Sequence, residues 1–257
     1  MTQDGTNKTV VITGAASGIG AGTARWLVDR GWQVIGLDRS FEPGLAKVAS
    51  TVFQIQCDVA SVASVDAAFA TIGECFGRID ALVVAAGVLR VGALDQVSVE
   101  DFDILYQVNT RGAWACAKAA TPLLTGGGEN TPRIVFIGSI GGLRPKIGNG
   151  AYSAQKAALH VMCGVMAAEL GPRGIRVNTI APGTVDTPMI RTMSDESRTG
   201  KFRPSGTGPL GRVATPEDIA GAVEFLLGPL SDFITGTVIP VDGGTRAAFV
   251  PSTVKLD

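Results

Sequence analysis

Short apolar runs rich in β-branched residues alternate with longer segments of helical period along the chain. The runs are TVVIT (9–13), QVIGLD (33–38), VFQIQCD (52–58), ALVVAAG (81–87), RIVFIGS (133–139), RVNTIAPG (176–183) and TVIPVDGG (237–244). None alternates cleanly between apolar and polar positions, which is the pattern of strands covered on both faces. Between them, helical patterns fall near 18–30, 61–77, 99–124, 151–171 and 216–228. This rhythm predicts an α/β fold: a doubly wound, parallel, seven-stranded sheet of Rossmann type with helices on both faces. A chain of 257 residues suits one such domain over 1–257, with a core of its own. One stretch breaks the rhythm. Residues 191–211 (RTMSDESRTGKFRPSGTGPLG) are polar, contain Gly and Pro, and are expected to form a substrate lid.

Charge narrows the partners. A net charge of -1 and the lack of any basic stripe argue against nucleic acid and against an anionic membrane surface. The opening MTQDGTNKTVVITG is polar and unlike a signal peptide, and no run approaches the ~18 apolar residues of a membrane helix. A cytoplasmic protein is expected. The four cysteines stand singly, without metal spacing, and read as small buried hydrophobes in a reducing compartment. The one histidine, His160, lies in an apolar helical stretch and reads as a core or helix-surface residue. No metal site is expected, and a Ser-His-Asp triad has no support.

The first strand runs into TGAASGIG (13–20), which opens a helix. The spacing of Gly14, Gly18 and Gly20 differs from the common G-x-G-x-x-G, but strand, glycine turn, helix, second strand and acidic residue follow in order. Glycines let the backbone approach a pyrophosphate, and the helix N-terminus offers free N–H groups and a positive dipole end. Asp38, ending the second strand, can accept hydrogen bonds from both ribose hydroxyls and would repel a 2′-phosphate. It favours NAD over NADP. Arg39 beside it could pair with a phosphate, but Ser17 adds no second positive charge. Asp58 is placed to contact adenine with Val59 beside the ring, or else to cap the helix beginning near Ser61.

TGAASGIG, the AAG of Ala85, Ala86 and Gly87, then Asn109, Ser139, Tyr152-x-x-x-Lys156 and Pro182-Gly183 occur in order. In these motifs the chain resembles the short-chain dehydrogenase/reductase family over nearly its whole length. Tyr152 and Lys156, at i and i+4, share one helix face. A free tyrosine has a pKa near ~10. A nearby ammonium and a positively charged nicotinamide favour the phenolate, so Tyr152 can serve as base without Asp, Glu or His. Ser139 can orient the alcohol. The resemblance implies that Lys156 also holds the nicotinamide ribose and that Asn109 supports a water relay. It further implies that Ile19 belongs to the cofactor turn and that Val185 and Thr187 contact the carboxamide and phosphate. Where the family often has N-N-A-G or N-A-A-G, this chain has Val84 before Ala85, Ala86 and Gly87, which puts one structural hydrogen-bond set in doubt.

GLDRSF (36–41), AAGVLRVGALDQVSVEDF (85–102), RPKIGNGAYSAQKAAL (144–159) and TVDTPMIRTM (184–193) are similar to the 2,3-dihydro-2,3-dihydroxybenzoate dehydrogenases of catechol-siderophore biosynthesis. They are also similar to related enzymes that oxidise trans-2,3-dihydro-3-hydroxyanthranilate. Both substrates carry a ring carboxylate and a C3 alcohol. The resemblance therefore implies a small anionic cyclic substrate, and a guanidinium can grip a carboxylate through two parallel hydrogen bonds. Arg90 and Arg144 are the leading candidates, with Lys146 beside the second and Arg191 on the expected lid. An ordinary alcohol dehydrogenase or ketoreductase acting on a neutral substrate would need no such grip. Relatives are mostly homotetramers, joined through the helices near 99–124 and 151–171 and the C-terminal strand; the same is expected here.

Overall fold

The computed structural model describes residues 8–125, 131–194 and 208–247. An eight-stranded sheet runs through it in the order β3-β4-β2-β1-β5-β6-β7-β8. The strands are β1 (Thr9–Thr13), β2 (Gln33–Asp38), β3 (Leu45–Ala49), β4 (Val52–Gln56), β5 (Ala81–Val84), β6 (Arg133–Ile137), β7 (Arg176–Pro182) and β8 (Val238–Val241). All neighbours pair in parallel except β3, which runs antiparallel to β4. The helices are α1 (Gly18–Val28), α2 (Val62–Phe76), α3 (Val99–Tyr106), α4 (Ala113–Ala120), α5 (Gly150–Leu170), α6 (Pro188–Ser194) and α7 (Pro216–Leu227). No helix among the described residues is long and apolar enough to cross a membrane.

The central strands alternate between two apolar layers, which is why their sequences lack polar positions. Val11, Leu82, Val84, Ile134 and Phe136 face a core shared with α2, α4 and α5. Their neighbours Val10, Ile12, Val83, Val135 and Ile137 face the opposite core, closed by Leu27 of α1 and Ile219 and Val223 of α7. The chain leaves β1 toward β2 and β4, then returns to β1's other edge as β5. Strand order therefore reverses at β1 and β5, and a crevice opens beyond their carboxyl ends.

Two features depart from the sequence pattern. The sheet has eight strands, not seven: the polar stretch LAKVA, with exposed Leu45 and Val48, pairs with β4 at the sheet edge. It follows Gly44, whose φ of 89° lies in the left-handed region that glycine adopts freely. An edge strand facing solvent needs no apolar run, so periodicity does not show it. The expected lid also begins inside a helix, since α6 takes in Arg191. Most of the lid, 195–207, lies outside the described residues.

Candidate active site

The site assembles where β1, β5, β6 and β7 end. The expected strands at 81–87 and 133–139 overshoot, because Ala85–Gly87 and Gly138–Ser139 leave the sheet to form its turns. A cleft of about 810 Å³ lies there. Its walls bring together the glycine turn (Gly14, Ser17, Gly18, Ile19, Gly20), the β5 exit (Ala85, Gly87) and the reacting groups Ser139, Tyr152 and Lys156. Pro182, Gly183, Val185 and Thr187 close the far side, followed by Pro188, Met189 and Ile190 of α6.

The glycine turn is tight enough to exclude side chains. A Cβ at Gly14 would lie 2.8 Å from Ala86 Cα, and one at Gly20 would lie 2.1 Å from Gly14 O. Gly14 and Gly18 also take positive φ, at 69° and 53°. Ser17, the N-cap of α1, makes no side-chain capping bond, so the first-turn N–H groups stay open to an anion. These features fit the pyrophosphate of a dinucleotide. Thr187 packs against the same turn: its Cγ2 lies 3.3 Å from where a Gly18 Cβ would be.

Asp38 sits beside that turn, not in the cleft wall. One of its oxygens accepts from Ala16 N (3.2 Å) and the other from Ser40 N (3.0 Å) and Ser40 Oγ (2.8 Å). The carboxylate is thereby held beside the glycine turn. Asp58 is exposed and accepts from Ala60 N (3.0 Å), while Val59 is buried. The cap of α2 is Ser61, whose Oγ accepts from Ser64 N, so Asp58 is not needed for capping.

The β5 exit has an anchor that sequence reading missed. Thr13 Oγ1 accepts from both Ala85 N and Ala86 N, each at 3.1 Å. Val84, the departure from the family pattern, is buried in the core and faces away from the cleft. Asn109 is 1% exposed and clamps Val88 through both of its backbone groups, donating to O (2.9 Å) and accepting from N (3.1 Å). It lies in a π-helical segment, Gln107–Gly112, that joins α3 to α4. Such bulges gather at functional sites. A Cβ on Gly87 would meet Asn109 Oδ1 at 3.0 Å and Lys156 Nζ at 3.7 Å, so these two side chains converge on a bare backbone.

Ser139 ends the β6 exit, and its Oγ accepts from Gly141 N at 3.0 Å. Its own hydroxyl proton is therefore free to point toward Tyr152 or a bound alcohol, and Ser139 favours the Tyr152 phenolate. Lys156 Nζ donates to Ile137 O at 2.8 Å and sits 5.7 Å from the Tyr152 ring centroid. Burial pushes Tyr152 up to about 12, opposed by the Ser139 hydrogen bond, and burial brings Lys156 down to about 8. Lys156 by itself does not offset this rise; the expected lowering combines it with a positively charged nicotinamide. Burial wins because the ammonium is itself desolvated and pointed at a carbonyl.

The three arginines expected to grip a carboxylate are not in the cleft wall. Arg90 Nε is paired with Asp101 at 2.8 Å, and its NH1 donates to Leu89 O. Arg191 forms a two-pronged pair with Asp186 at 2.7 and 2.8 Å. Arg144, exposed just past the Ser139 turn, has no side-chain partner among the described residues. Lys146, also exposed, already has a partner.

The comparisons with known proteins point the same way. A family model described as Enoyl-(Acyl carrier protein) reductase matches residues 14–246. The chain is 38% identical to the short-chain reductase protein NovJ of Streptomyces niveus over 246 residues, covering 91% of this chain and 92% of that one. It is 37% identical to the 2,3-dihydro-2,3-dihydroxybenzoate dehydrogenase of Escherichia coli K12, covering 94% and 98%. Among solved structures, an aldohexose dehydrogenase of Thermoplasma acidophilum superposes with a TM-score of 0.84 at 31% identity, covering 97% and 98%.

Proposed function

The chain belongs to the short-chain dehydrogenase/reductase family, and from that premise we propose that it oxidises the C3 alcohol of a cyclohexadiene carboxylate with NAD. It is an oxidoreductase of that family's type. The observation that carries the catalytic part is the meeting of Ser139, Tyr152 and Lys156 in one cleft with the glycine turn. Asp38, fixed beside Ala16, supports NAD over NADP. The likeness to 2,3-dihydro-2,3-dihydroxybenzoate dehydrogenase supports a substrate of that type, with trans-2,3-dihydro-3-hydroxyanthranilate as the related alternative.

NAD, when bound, supplies the hydride acceptor. The residues divide the remaining work. Gly141 N–H occupies Ser139 Oγ, so Ser139 donates its proton onward and fixes the alcohol oxygen. Tyr152 takes the hydroxyl proton. Lys156 and Asn109, facing each other across Gly87, hold charge and backbone in place behind it. The ketone formed on a cyclohexadiene tautomerises to an aromatic ring, which makes the oxidation effectively irreversible. Arg144, exposed beside the Ser139 turn and without a side-chain partner among the described residues, is the candidate grip for the ring carboxylate.

A second reading has its own support: Pro188, Met189 and Ile190 make the described wall apolar beyond Tyr152, as a neutral alcohol would prefer. One experiment separates the two. NADH formation is followed with both cyclohexadiene acids and a panel of neutral cyclic alcohols, each with NAD and NADP. Turnover of the acids with NAD, and a KM raised roughly 10-fold or more by Arg144→Glu, is expected. Equal rates on neutral alcohols with Arg144→Glu silent would establish the second reading. Tyr152→Phe should abolish turnover while NADH still binds; retained turnover removes Tyr152 as the base.

A further inference from the structure

His160 is a half-buried titratable group that the mechanism above does not use. It lies one turn beyond Lys156 on α5, and both ring nitrogens are shut from solvent without a hydrogen-bond partner among the described residues. Its ring occupies space that two glycines leave open. A Cβ at Gly138 would fall 2.4 Å from His160 Nε2 and 2.7 Å from Thr179 Cγ2. A Cβ at Gly142 would fall 2.6 Å from His160 Cε1 and 2.8 Å from Ala157 N. These glycines flank the Ser139 turn, one on each side.

Backbone bonds hold the turn: Gly138 N donates to Ile180 O at 2.7 Å, Gly142 N to Ser139 O at 3.0 Å, and Leu143 N and Arg144 N to Ile140 O, while Ser139 caps it through Gly141 N and Ile140 is buried. No side chain of Gly138, Gly141 or Gly142 can pack to hold it. The imidazole is the side chain that meets the glycines on both sides of the turn, and α5 carries it in register with Tyr152 and Lys156.

We propose that His160 is a positioning residue: an uncharged ring wedged between Gly138 and Gly142 that sets Ser139 relative to Tyr152 and Lys156. The charge state agrees with the geometry. Burial, with the Lys156 ammonium as a second cause, brings His160 down to about 4. The other groups against the ring carry no charge to offset a proton: Gly138, Gly142 and Thr179 are neutral, and burial keeps Cys163, further along α5, as the thiol. Among the described residues the nitrogens have no partner to pass a proton to, so the contribution is shape.

This inference rests on Ser139, Tyr152 and Lys156 being the reacting groups, and its first readout does not need the substrate. Amide hydrogen exchange of residues 138–143 is compared in wild type, His160→Ala, His160→Leu and His160→Phe. The alanine variant should speed exchange at Gly141 and Gly142 roughly 10-fold or more, with the body of α5 unchanged. At least one of the leucine and phenylalanine variants should return within about 3-fold of wild type, since each refills the space.

With an alcohol that the wild type oxidises, His160→Ala should lower kcat roughly 10- to 100-fold and leave NADH affinity unchanged. Leucine or phenylalanine should recover most of it. Unaltered exchange in the alanine variant overturns the wedge. So does equal loss in all three variants, which would give the role to the nitrogens. Loss of NADH binding together with kcat would reduce His160 to general packing. Turnover retained in Tyr152→Phe would instead fault the underlying assignment and leave the exchange result standing.

Discussion

Tyr152 carries the tension of the site. An isolated phenol near ~10 is already a poor base at neutral pH, and burial takes this one to about 12. Raising an acid's pKa on folding means the folded chain holds the proton more tightly, so stability falls as pH rises from ~10 toward that value. The proposed role as base needs the reverse, and the positive charge of an oxidised nicotinamide would supply it. In cofactor-free protein, absorbance titration of wild type minus Tyr152→Phe should show a phenolate step near 12. With saturating NAD the step should move below ~10. A step fixed at its cofactor-free position would mean that charge pairing does not activate the base. At this scale Ser139, Tyr152, Lys156 and Asn109 were legible because each is a chemically distinctive residue at a fixed spacing. Thr13 and His160 were not, since a threonine ending a strand and a histidine in an apolar helix are ordinary until their neighbours are known. The arginines divide for another reason: sequence places a guanidinium near a sheet edge, but only their neighbours show that Asp101 holds Arg90 and Asp186 holds Arg191.

At the scale of elements, α1 and α7 show how the cofactor turn is held. Trp26 Nε1 donates to Glu224 Oε2 at 2.7 Å, Arg30 pairs with the same carboxylate at 2.9 Å, and its guanidinium stacks 3.6 Å from the Trp26 ring. Four residues before Trp26, Gly22 brings the helices together: a Cβ there would lie 2.5 Å from Pro216 Cβ. Gly-to-Ala in a helix ordinarily gains up to ~1 kcal/mol. Here the contact reverses the sign, because Pro216 is a rigid ring at the start of α7 and cannot swing away. Gly22→Ala should lose about 1–3 kcal/mol in urea unfolding; a gain would mean that α7 shifts freely. The strands of this framework were readable because burial on two faces leaves continuous apolar runs. β3 escaped notice as a solvated edge, and the π-helical segment because its pitch change leaves no mark in apolar spacing. α6 escaped because the polar pattern beyond it masked a short helix opened by Pro188.

For the whole molecule, the remaining question is what covers its apolar surface. Phe233 is fully exposed and Leu230 is 86% exposed in the segment that leads from α7 to β8, and Phe225 of α7 is exposed too. A second set lies on the helices of the opposite layer: Val161 and Val165 on α5, at 69% and 51%, with Phe102, Tyr106 and Trp114 on α3 and α4. Scattered exposed apolar residues need no explanation, but clusters on regular elements mark interfaces. If each set is self-complementary, the two would generate two distinct two-fold contacts, and two such axes would close a tetramer of D2 symmetry. The sequence suggested this arrangement only through the family resemblance, because helical period marks the inward face of α5 and says little of the outward one. Light scattering on the wild-type chain should give a homotetramer. Val161→Glu with Val165→Glu should leave dimers joined through β8 and α7, and Phe233→Glu should leave dimers joined through the helices. Both changes together should give monomers, because an uncompensated carboxylate at the centre of a contact costs more than the contact returns. A monomeric wild type, or variants that all remain tetrameric, would place the assembly surface elsewhere.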